Sequence, residues 1–152
     1  SKATRLMEWD EVDLHKKIWT IPASSDEKQG RKTSVEWKIP LSNRAIRILK
    51  AQPSYPESVG RVFSTVAGAE IPDNYLSGLP KSLGFDATAH GFRSTFKEWC
   101  RERGVSDELS ELSLQHRDET GSRAAYARDQ LLEGRRKLLD AFAKWTHSGA
   151  SV

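Results

Sequence analysis

Thiols are nearly absent from this sequence, in which Cys100 stands alone. A single cysteine excludes an intramolecular disulfide framework and cannot build a multi-thiolate metal site, a pattern suited to a reducing, cytoplasmic compartment. Long apolar runs are missing as well. Nothing approaches the roughly 20 apolar residues needed to cross a bilayer, and the N-terminus has no apolar stretch of signal-peptide length. A soluble protein with no membrane partner is the expectation. Internal repeats and low-complexity linkers are also lacking, and so is a decisive excess of charge: 24 Lys and Arg against 21 Asp and Glu leave only +3. The pI of about 9.1 is mildly basic. Net charge decides nothing further, because nucleic-acid binding depends on where the basic residues cluster.

The 152 residues suffice for one domain with its own core, and 37% hydrophobic with 30% charged residues is the balance of an ordinary globule. The chain opens in what reads as the end of a helix at 2–7. Residues 9–14 and 17–21 carry β-branched and aromatic side chains around the polar turn His15-Lys16, which predicts a β-hairpin, with a third strand at 35–39 and Pro40 closing the sheet. Between the second and third strands, the polar and Gly-containing stretch 24–32 reads as an exposed loop. Ser42 can cap a helix over 43–50, whose apolar stripe is Ala45, Ile46 and Leu49. A weaker helical pattern at 72–83 is interrupted by Gly78 and Pro80.

A strong helix is predicted from Ala89 to Arg103, ended by Gly104. Phe92, Phe96, Trp99 and Cys100 form its apolar face, expected to be core. His90, Arg93, Lys97 and Arg101 fall in a separate arc of about 80° and predict a basic stripe. Ser106 with Asp107 and Glu108 marks a capped helix start running toward His116. Further helices are expected at 122–128 and 131–145, followed by a frayed tail at 146–152. The architecture is α+β: a mostly helical single domain with a small N-terminal three-stranded antiparallel sheet.

Two imidazoles, a guanidinium and a phenol stand out as chemistry. A phosphodiester repels nucleophiles, and its transition state spreads further charge over the non-bridging oxygens. Arg93 offers a planar fork matched to two such oxygens, and His90 and His116 add directional donors. Tyr126 can be the nucleophile, losing its proton near the cationic cluster as it attacks. The leaving 5′ oxygen needs a proton, for which a mobile lysine suffices. Neither metal nor cofactor is required.

At these residues the chain resembles the catalytic domain of the tyrosine recombinases, of the phage and prophage integrase kind. His90-Gly-Phe-Arg93 is similar to that family's His-x-x-Arg box, Leu114-Gln-His116 to its second histidine, and Ala124-Ala-Tyr126-Ala-Arg128 to its nucleophile segment. Residues 132–139 are similar to the family's stretch after the nucleophile. Residues 5–14 resemble the helix-to-strand segment after the family's first catalytic arginine, and 32–42 the strand region carrying its lysine. The matches run in the family's order over nearly the whole chain. The resemblance implies the DNA breaking-rejoining fold over residues 1–145 and site-specific recombination of double-stranded DNA at attachment sites. Tyr126 would form a 3′-phosphotyrosyl link, with Arg93, His90 and His116 holding the phosphate and Lys32 protonating the leaving oxygen. Lys28 is the alternative acid. The full-length protein would assemble as a tetramer on DNA in the bacterial cytoplasm, at the nucleoid. By the same alignment the family's first arginine falls directly before Ser1.

Other readings stand beside this one. A type IB topoisomerase shares the chemistry, and a catalytically degenerate DNA-binding or regulatory module would share the fold. The run Arg135-Arg136-Lys137 fits a solvated helix face or contact with DNA or a neighbouring subunit. The apolar stripe Leu132, Leu139, Phe142 and Trp145 would dock on its own domain or on a neighbour.

Overall fold

A computed structural model describes residues 2–23, 36–55, 57–115 and 131–148. Helix α1 (Lys2–Arg5) leads through a 3-10 turn (Trp9–Glu11) into a sheet of β1 (Val12–Asp13), β2 (Ile18–Ile21) and β3 (Trp37–Pro40). The order is β1-β2-β3, antiparallel throughout, with Val12 opposite Trp19 and Ile21 opposite Trp37. The predicted hairpin is present, although its first arm is mostly the 3-10 turn: Glu11 turns its carboxylate onto the Trp19 indole N–H at 3.0 Å instead of extending a strand. Pro40 closes the sheet from within it, pairing with Ile18 as the last residue of β3. Among the described strands β3 lies at the edge, where proline's missing N–H removes no ladder bond.

Five helices complete the described chain: α2 (Asn43–Lys50), α3 (Tyr75–Ser82), α4 (Ala89–Glu102), α5 (Asp107–Ser113) and α6 (Leu132–Ser148). Ser42 caps α2 by accepting from the Ala45 N–H, and Ser106 caps α5 by accepting from that of Leu109. α3 runs through both Gly78 and Pro80, since a proline loses its own donor but keeps its carbonyl, which here accepts from the Phe85 N–H at 3.0 Å. α4 ends as expected. Gly104 adopts φ +65, its N–H bonds the Arg101 carbonyl and that of Val105 bonds Cys100, so two terminal carbonyls are satisfied. α6 reaches Ser148, beyond the predicted end at 145.

Two apolar clusters form the interior. The first joins the sheet to α2 through Met7, Trp9, Trp19, Ile21, Trp37, Leu41, Ile46, Leu49 and Val62. The second gathers Phe96, Trp99, Cys100 and Leu138 with Leu109, Leu139 and Phe142, closing α4, α5 and α6 on one another. α6 touches β3, α2 and α5, and so spans both. Phe142 meets Phe96 and Trp99 edge-on at 4.9 and 5.2 Å, so the stripe of the last helix docks on its own domain. Phe92 departs from expectation: it is 58% exposed. α4 and α6 meet at Phe96, Trp99 and Phe142 and leave an open groove bordered by Phe92, Thr95 and Trp145.

Candidate functional site

His90 and Arg93 lie one turn apart at the start of α4, where residues at i and i+3 share a face with Cβ atoms about 5 to 6 Å apart. The Thr88 hydroxyl caps this helix by accepting from the Gly91 N–H at 3.0 Å, and the Thr95 hydroxyl donates back to the Gly91 carbonyl. The first turn contains no carboxylate. Its partial positive charge is therefore not neutralised from within the helix, a setting that favours an anion. His90 is exposed, directly beside that terminus.

Arg93 is half-buried and reaches across to α5, its Nη2 donating to the Leu114 carbonyl at 2.7 Å. Leu114 is the C-terminal cap of α5, and the next residue, Gln115, takes the left-handed conformation with φ 60. The bond thus ties the His-x-x-Arg turn to a point two residues before His116 in the chain. His116, Tyr126, Lys32 and the alternative Lys28 lie outside the described residues.

One member of the basic stripe expected on α4 is taken up by a neighbouring helix. Lys97 ion-pairs with Glu111 at 2.6 Å and Asp107 at 3.2 Å and donates to the Ser110 hydroxyl at 2.8 Å. The hydrogen bond to Glu111, reinforced by Asp107, raises the Lys97 pKa above its ordinary 10.5. Arg101 pairs with Glu98 on its own helix. α5 packs on this side of α4 and brings Asp107 and Glu111 to meet Lys97, while Arg101 stays exposed beside Glu98. His90 and Arg93 stand at the helix start as candidates for a ligand.

Two arginines taken for a solvated face or a DNA contact have another role. Arg135 is 1% exposed, donates from Nη1 to the Lys38 carbonyl at 3.0 Å and sits 5.5 Å from the centre of the Trp37 ring. Arg136 donates to the Lys17 and Lys16 carbonyls at 3.1 and 3.0 Å. Asp140, one turn on, accepts from the Asn43 N–H at the start of α2. Together they fasten the last helix to the sheet and to α2. Arg135 was legible after all: at about 100° per residue it falls inside the arc of Leu138, Leu139 and Phe142, on the buried face. Elsewhere, Arg5 is buried between Glu70, Asp73 and the Ile71 carbonyl, which holds the segment before α3 against α1. Among the described residues no group of histidine, cysteine and carboxylate side chains is arranged to hold a metal ion, and no helix is long and apolar enough to cross a membrane.

Known proteins with similar sequences are consistent in kind. The chain is 29% identical over 150 residues to the integrase of Shigella phage Sf6 and 28% identical over 160 residues to that of Enterobacteria phage P4. It is 31% identical over 153 residues to the prophage integrase IntA of Escherichia coli K12. Each match covers 95% of this chain but only 35–38% of the relative, so the chain spans little more than a third of the length of the curated relatives it matches. No family model matches the chain, and no solved structure matches it.

Proposed function

Because the chain is similar over 95% of its length to phage and prophage integrases, we propose that it is the catalytic region of a tyrosine recombinase, which cuts and rejoins double-stranded DNA at attachment sites. The observation that carries this reading is the start of α4: an exposed histidine and an arginine on one face of a helix terminus without acidic residues, bonded to the chain two residues before a second histidine.

In the proposed reaction the scissile phosphate sits at this terminus. Arg93 and His90, with His116, donate to its non-bridging oxygens, where charge grows in the transition state. The Tyr126 phenol attacks phosphorus and gives up its proton to solvent, the bond from phosphorus to the 5′ oxygen breaks, and that oxygen takes a proton from the Lys32 ammonium. The products are a 3′-phosphotyrosyl link and a free 5′ hydroxyl. Because the phosphoester energy is kept in the link, attack by another 5′ hydroxyl rejoins the DNA without ATP. Assembly into a tetramer on DNA, in the cytoplasm where that DNA lies, accompanies this function.

The test is covalent trapping. The full-length protein, incubated with a nicked duplex that loses its 5′-hydroxyl fragment after cleavage, is expected to accumulate a protein–DNA adduct that survives denaturation. Tyr126→Phe should abolish it, and Arg93→Ala should slow it by about 100- to 1000-fold, the usual cost of removing one transition-state donor. An adduct that persists in Tyr126→Phe would contradict the nucleophile assignment.

A further inference from the structure

We propose that the seam between α2 and α6 carries a second DNA-binding surface, one that takes the phosphates of a duplex segment away from the scissile bond. The inference rests on the recombinase reading above only for its choice of DNA as the polyanion. At its centre is one junction. Asp140 on α6 accepts from the Asn43 N–H at the start of α2, and the Asn43 side-chain oxygen accepts from the Lys17 ammonium at 2.7 Å. Around this junction the fold gathers cations from stretches far apart in the chain. Arg44 follows Asn43 and Arg47 stands one turn beyond it, while Lys137 and Lys144 lie one turn before and after Asp140 on the same face of α6. All four are exposed.

Carboxylates do not balance this cluster. Among the described residues none of Lys17, Arg44, Arg47, Lys137 and Lys144 meets one, whereas Lys38, Arg61, Lys97, Arg101 and Arg103 each do. α2 contains no acidic residue, Asp140 is taken up by a backbone N–H, and Glu133 is taken up by Arg136. Like charges so concentrated, in a chain whose net charge is only +3, repel one another until an anion relieves them. The chemistry favours phosphate over protein. Protein interfaces are poor in lysine and built around an apolar centre, and the one large apolar side chain exposed on α2 is Ile48. Three lysines and two arginines suit a DNA backbone instead. Direction separates this surface from the site at α4. Lys137 and Lys144 lie about 100° or more around α6 from Leu138 and Phe142, the residues that pack with Phe96 and Trp99 of α4.

Salt dependence counts phosphate contacts, since each one lost lowers the slope of log affinity against log salt by about 0.9. Binding of the full-length protein to an intact duplex of random sequence is measured between about 50 and 200 mM salt, with thermal stability recorded in parallel. Arg44→Gln combined with Lys137→Gln is expected to lower the slope by about 2, so that its deficit in affinity shrinks about tenfold across that range. Arg47→Gln combined with Lys144→Gln should act alike, and it carries the comparison if the first variant fails to fold. Arg101→Gln combined with Arg103→Gln removes the same charge from cations already paired, and should leave the slope within about 0.5 of its unaltered value. On saturating nicked duplex both seam variants should form the covalent adduct at a rate within about threefold of the unaltered protein. A slope that neither seam variant lowers, as for a solvated or protein-binding face, overturns the proposal, and so does one that the control lowers equally. Slower adduct formation at saturation overturns the separation of this surface from the site. If the seam variants lower the slope while the unaltered protein forms no adduct, the recombinase reading falls and the surface stands.

Discussion

Cys100 is 1% exposed between α4 and its neighbours, and burial raises its thiol pKa because the thiolate would be stranded away from water. Iodoacetamide at neutral pH should therefore leave the folded protein unlabelled and modify Cys100 only in denaturant, which mass spectrometry reads directly. Lys97 makes the opposite kind of contribution. Its pKa is raised above 10.5 by Glu111 first and Asp107 second, so the charged form is favoured in the native state. The resulting stabilisation is complete below pH 10.5 and is lost only as the pH climbs through the higher native value. Lys97→Met should cost about 1 kcal/mol in urea unfolding, a deficit constant from neutral pH to mild alkali that shrinks in strong alkali. At this scale the sequence was readable where a residue's type and its periodicity agreed, as for Cys100, Phe96 and Trp99. It misled for Lys97, because which side of α4 faces α5 depends on how elements far apart in the chain pack.

The helices were legible as elements because their caps are local chemistry. Ser42, Thr88, Ser106 and Gly104 lie within one turn of the groups they satisfy, and all four act as their residue types predict. The length of an apolar stripe was legible too, but not how much of it a neighbour covers. Phe92 and Phe142 look equivalent in sequence, yet the first borders an open groove while the second packs against Phe96 and Trp99. Phe92→Ser is therefore expected to change stability by no more than about 0.5 kcal/mol, against about 3 kcal/mol for Phe142→Ala in the same unfolding assay. Comparable losses from both would mean that the groove beside Phe92 is closed. The weak helix α3 formed despite Gly78 and Pro80, since one missing donor in a two-turn helix removes a single bond and leaves the rest.

For the whole molecule, α6 matters most, since it touches β3, α2 and α5 and so joins the cluster under the sheet to the cluster around α4. The site itself was only partly legible. His90 and Arg93 share a helix turn that spacing alone reveals, whereas bringing them to the segment before His116 takes the long-range Arg93–Leu114 bond, which no local pattern encodes. Contacts to DNA made through phosphates release counterions, so binding by the protein should weaken steeply as salt rises, by about tenfold or more between 50 and 200 mM. Binding that ignores salt would argue against a phosphate-directed surface. The most direct measurement is the chemical identity of the covalent link. The denatured adduct is digested with trypsin, and the peptide left on the DNA is sequenced by mass spectrometry. The account predicts residues 124–128, Ala-Ala-Tyr-Ala-Arg, joined through Tyr126 to a 3′ phosphate. A peptide from another part of the chain, or a link to a 5′ phosphate, would contradict it.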